Sequence, residues 1–109
     1  MSFASSWEQR NYGSTPINVS SADPTTIVAG TSGKQIWVHS FIIIGSPGNI
    51  IIFEDEDGTD LFGPVTIGDT GGFVSGFNPT GHFRVPAGKD LNLNNSSAAQ
   101  VGGGIQYTI

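Results

Sequence analysis

From Thr15 to Ile109, short clusters of β-branched and aromatic residues alternate with Gly, Pro, Asn and Asp. This pattern predicts strands near 15–20, 24–29, 35–45, 49–54, 60–67, 72–77, 82–85, 89–95 and 100–109. The strongest element runs from Gln35 to Ile44. Strict alternation there puts Ile36, Val38, Ile42 and Ile44 on one face, and Trp37, His39, Phe41 and Ile43 on the other. With both faces apolar, this is expected to be a central strand whose second face is covered by another sheet, a loop or another subunit. Ser46-Pro47-Gly48-Asn49 supplies turn residues before Ile50-Ile51-Ile52-Phe53 and predicts a hairpin between the two apolar strands. Leu91 and Leu93 alternate with Asn92 and Asn94. In the last strand Gly102-Gly103-Gly104 marks a bulge or a place where another backbone comes close.

The first residues, MSFASSWEQRNYG, sustain neither a strand nor a helix period. They are read as an extended arm over residues 1–14, followed by one domain over 15–109. Phe3, Trp7 and Tyr12 are unusual in a solvating tail. The arm is therefore expected either to pack on its own domain or to reach a neighbouring subunit.

Composition narrows the classes. A chain of 109 residues has room for one core. The 12% charged residues, 16 glycines and 7 phenylalanines suit short strands and tight turns. No cysteine is present, so disulfides and thiolate chemistry are excluded. A net charge of -5 repels phosphate backbones and anionic lipid, so neither nucleic acid nor membrane is expected as a partner. The longest apolar run, Phe41 to Ile44, is too short to span a bilayer, and the start lacks a signal-peptide pattern.

Candidate chemistry is sparse. Asp55, Asp57 and Asp60 around Gly58 could offer calcium three hard oxygen ligands, but the spacing departs from an EF-hand loop and no helices flank it. The same segment reads as a solvated hairpin turn, and that reading is taken, with no metal or cofactor expected. His39 and His82 lack the further ligands of a metal site. No nucleophile elbow, dinucleotide fingerprint or phosphate-binding loop occurs, so catalysis is not expected.

Several segments carry a resemblance: Val28-Ala29-Gly30-Thr31-Ser32-Gly33-Lys34-Gln35-Ile36-Trp37-Val38, Gly71-Gly72-Phe73-Val74, Asn78-Pro79-Thr80-Gly81-His82-Phe83, and Ala87-Gly88-Lys89-Asp90-Leu91-Asn92-Leu93 up to Val101-Gly102-Gly103. Together, over about 24–109, they resemble the small jelly-roll decoration, or cement, proteins of tailed bacteriophages. The resemblance implies an all-β jelly-roll sandwich of about eight strands, although another Greek-key sandwich would give the same strand pattern. It also implies a non-enzymatic virion protein, assembled in the host cytoplasm, that binds the major capsid protein on the outer capsid surface as a homo-oligomer, a trimer in that family. Phe3, Trp7 and Tyr12 would then touch the shell or a neighbour, and Trp37, His39 and Phe41 would pack within the domain or about a threefold axis. The alternative is a carbohydrate-binding or receptor-binding jelly-roll module, lectin-like or a fibre knob.

Overall fold

The computed structural model describes residues 12–109, which form nine strands and no helix. Phe3 and Trp7 lie outside the described residues, as does the expected arm up to residue 11. The strands are β1 (Gly13–Val19), β2 (Thr25–Val28), β3 (Ile36–Gly45), β4 (Ile50–Asp55), β5 (Asp60–Thr66), β6 (Gly72–Val74), β7 (Phe83–Val85), β8 (Leu91–Asn95) and β9 (Val101–Thr108). Each answers to one of the nine expected strands. β6 stops at Val74, short of the expected residue 77, and β1 starts two residues earlier than expected, at Gly13.

Two antiparallel sheets result. One has the order β1-β9-β3-β6, with β7 also paired to β3, and the other the order β2-β8-β4-β5. The buried cluster draws on both, with Ile17, Val38, Ile43 and Val101 from the first sheet and Ile51, Leu91 and Leu93 from the second. Phenylalanines weld the two layers. The Phe41 ring centroid of β3 lies 5.4 Å from that of Phe53 on β4 and 5.0 Å from that of Phe62 on β5. Phe83 of β7 lies 5.3 Å from Phe53. Such ring pairs contribute about 0.5–1.5 kcal/mol each beyond the apolar area they bury. The Leu/Asn alternation of β8 behaves as the pattern predicts, Leu91 and Leu93 being buried and Asn92 and Asn94 half-buried.

Two expectations about β3 are corrected. It forms no hairpin with β4: both its edges are taken within the first sheet, by β9 on one side and by β6 and β7 on the other, while β4 pairs with β5 and β8. Ser46 to Asn49 still turns, with Asn49 N–H donating to the Ser46 carbonyl at 3.2 Å. The Gly48 N–H donates to the Ile67 carbonyl at 2.8 Å, so the turn is a corner that carries the chain from one sheet to the other.

The second correction concerns the faces. Val38 pairs with Tyr107 and Ser40 with Gln106, which leaves His39 as an extra residue, a β-bulge. A bulge shifts the alternation by one. Ile36 and Val38 before it therefore share the core with Phe41 and Ile43 after it, and Ile42 and Ile44 turn outward.

The outcome separates neighbours in the sequence. Phe41→Ala is expected to lower the unfolding free energy by about 3–5 kcal/mol. Ile42→Ala should cost less than about 1 kcal/mol. Chemical denaturation of the two variants checks the assignment, and equal losses would contradict it.

Candidate interaction surface

On the outer face of the first sheet the register sets residues in rows. Asn18, Gly102, Ile44 and Gly72 form one row, Pro16, Gly104, Ile42 and Val74 the next, and Ser14, Gln106 and Ser40 a third. Ile42, Ile44 and Val74 are 47%, 61% and 69% exposed, high for apolar side chains standing together on one strand pair. Beside this ridge the glycines of β9 leave bare backbone, which makes a shallow groove of about 390 Å³ between Pro16 and Ile42 with Gly104 at its floor. A second depression, of about 280 Å³, lies between Ile42, Ile44 and the Gly71-Gly72 end of β6. No Asp, Glu, Lys or Arg occurs in β1, β3, β6 or β9.

The bulge is held by His39, which is fully buried. Its Nδ1 lies 2.8 Å from the Asn78 carbonyl oxygen, which can only accept, so Nδ1 carries the proton. Nε2 then accepts from the Thr108 hydroxyl at 2.9 Å. The ring stacks on Phe77 and meets the edge of Tyr12. The Thr108–His39 distance is that of a nucleophile and its base. Both side chains are buried, with Tyr12 and Phe77 packed on the His39 ring, and the arrangement ties the 75–82 loop to the end of β9. That loop lies along β3: Asn78 N–H donates to the His39 carbonyl at 2.9 Å and His82 N–H to that of Val38 at 2.7 Å.

Of the expected interface residues, His39 and Phe41 pack inside the domain and present no side chain to a partner. Tyr12 is half-buried on His39 and Phe77. Trp37 pairs across the strands with Arg84, whose guanidinium carbon stands 4.7 Å from the centre of the indole ring. Both line a depression of about 620 Å³ with Thr80 and His82. Ile42 and Ile44 were missed as surface because the bulge is invisible to a period-two count. The one signal available was the apolar character of both faces of β3.

The acidic turn joins β4 and β5 in the hairpin that Asp57-Gly58 predicts, but it is only partly solvated. Asp55 is 4% exposed, and its Oδ1 accepts from Asp57 N–H at 2.9 Å and Thr59 N–H at 3.0 Å, holding the turn shut. Glu54 beside it is also buried, which corrects the expectation of an exposed cluster. Asp57 pairs with Lys89 at 3.1 Å, and Glu56 accepts from Asp90 N–H. Among the described residues no three His, Asp or Glu side chains converge as metal ligands. The hydrogen bond and then the charge of Asp57 hold the Lys89 ammonium above the ordinary lysine range. That contribution is present at neutral pH and is lost only as pH rises through the raised lysine value. Exposure to solvent keeps it small.

Comparison with known proteins adds no relative: no family model matches the chain, and no curated protein or solved structure matches it.

Asp55→Ala leaves two turn N–H groups without their acceptor and is expected to cost about 1–3 kcal/mol. Asp60→Ala, at an exposed position, should stay within about 0.5 kcal/mol of the parent. Calcium and chelator are both expected to leave the melting midpoint unchanged. A calcium-dependent rise that Asp55→Ala abolishes would show that this turn closes around an ion.

Proposed function

We propose that this chain is a non-catalytic structural protein of a virus particle, a jelly-roll decoration protein that binds the outer capsid surface as an oligomer. The reading is carried by the outer face of β1, β9, β3 and β6, four strands without Asp, Glu, Lys or Arg, on which Ile42, Ile44 and Val74 stand exposed. Apolar side chains held on a rigid sheet, without titratable groups among them, suit burial against another protein and offer little to a chemical step.

The strand order supports the jelly-roll part of the reading. A jelly roll folds two Greek keys into two four-stranded sheets. Setting aside the short β7, the order β1-β9-β3-β6 opposite β2-β8-β4-β5 has that character: β1 and β2, β3 and β4, and β8 and β9 are each divided between the sheets. The segments that resemble phage decoration proteins fall on the entry to β3, on β6, on the 78–83 turn and on β8. The trimer and the capsid partner come from that resemblance alone.

One observation favours the carbohydrate-binding alternative, the Trp37–Arg84 depression with Thr80 and His82 at its rim. Against it, the guanidinium lies over the ring that a sugar would stack on.

Stripped heads of the encoding virus should take up the purified chain in a sedimentation assay, and the same chain should be found by mass spectrometry in intact particles. A variant beginning at Tyr12, which keeps the Tyr12–His39 contact, should fold but bind heads more weakly if Phe3 and Trp7 touch the shell. Absence from particles together with glycan-dependent shifts of the Trp37 indole resonance would move the assignment to the alternative.

A further inference from the structure

The row arrangement on the outer face of the first sheet sets a ridge and a furrow side by side. Ile42 and Ile44 project from β3, and directly opposite them on β9 are Gly104 and Gly102, which have no side chains at all. Val74 extends the ridge from β6, pairing with Ile42. On the far side of the furrow stands Pro16, which borders the groove of about 390 Å³. A patch holding a projection with a trough beside it can meet a copy of itself ridge to trough. A two-fold axis brings like patch to like patch.

Charge favours the same occupant. The chain carries a net charge of -5, so two copies repel each other in most orientations. Among the described residues the acidic side chains lie on β4, β5 and connecting loops, and the four strands of this face contribute none. Copies meeting through this face keep their acidic turns out of the contact.

Area fits a weak self-association. Strands about 4.8 Å apart, rising about 3.3 Å per residue, give the four-strand face roughly 440 Å², and two such faces bury about 900 Å², the size of small, transient interfaces.

From these observations we infer that a second copy of this chain covers the outer face of the β1-β9-β3-β6 sheet. The Ile42–Ile44 ridge of each copy lies in the Gly102–Gly104 furrow of the other, about a two-fold axis. The inference rests on the oligomeric reading above and names the surface that forms the oligomer.

The test is the solution mass of the full chain by sedimentation velocity over a wide concentration range. It compares the parent with Ile44→Glu, with the milder double variant Ile42→Ser/Ile44→Ser, and with Ile50→Glu on β4 as a control on an exposed apolar residue of the other sheet. Circular dichroism and thermal melts establish that each is folded. The parent and Ile50→Glu should sediment as oligomers, and the two ridge variants should fall to the 11.4 kDa single chain. A parent that stays monomeric at every concentration overturns the inference, as does a folded ridge variant that keeps the parent's mass. Head binding, measured separately, keeps the two readings apart. A monomer that still decorates heads overturns this inference alone, and an oligomer lost only in the ridge variants, but which binds no heads, overturns the capsid reading alone.

Discussion

In an antiparallel ladder each residue faces one partner, and β3 carries one residue more than β9 where His39 stands. That residue cannot join the alternation, so the face of every later side chain on β3 is reversed. Had the strand run regularly, Phe41 would have pointed away from Phe53 and Phe62, and the ring cluster joining the sheets would lose its centre. The bulge needs an anchor, because an unpaired residue inside a sheet leaves backbone and side chain to be satisfied elsewhere. His39 provides it by bonding to the Asn78 carbonyl on one side and the Thr108 hydroxyl on the other. Core, loop and outer face are thus consequences of one inserted residue.

A second constraint acts on the neighbouring strand. Gly103 has φ +137°, and a Cβ placed there would overlap the Ile42 carbonyl oxygen. Only glycine lets β9 approach β3 so closely in that conformation. The outer-facing glycines on either side, Gly102 and Gly104, have ordinary backbone angles, and what they contribute is the furrow. The run that sacrifices packing inside the last strand also shapes the surface beside Ile42 and Ile44, so a feature that costs stability within the domain is placed where a partner could use it.

Strand positions were legible because turn residues mark where each strand ends, and those are local signals. The corner at Ser46 to Asn49 was not, since the same residues serve a hairpin or a crossing between sheets, and the difference depends on which strands occupy the edges of β3. The faces of β3 were hidden for a similar reason: His39 looks like any residue in an alternating run until the partner strand is known. Its apolar character on both faces did announce that something must cover it, and within the described chain nothing covers Ile42 and Ile44. At the acidic turn the residue types suggested solvation, whereas Asp55 is drawn in by the two N–H groups it accepts from, a short-range demand that composition does not reveal. The close approach at the triple glycine was readable because few other reasons place three glycines in a strand.

The two sheets differ in the work their outer surfaces can do. The second sheet carries the acidic hairpin, whose charges are engaged by turn N–H groups and by Lys89. In the first sheet β1, β9, β3 and β6 carry no formal charge, the charged Arg84 standing apart on β7, and the central strand is bonded along both edges. Exposed isoleucine and valine on such a sheet cannot fold away to escape water as they could on a loop, because moving them would break the ladder that holds Phe41 and Ile43 in the core. Removing that surface from water takes something brought onto it from outside the sheet. The same bulge that turns Phe41 and Ile43 into the core therefore turns Ile42 and Ile44 outward, so the packing of the domain and the apolar character of its outer face rise from one feature of the chain.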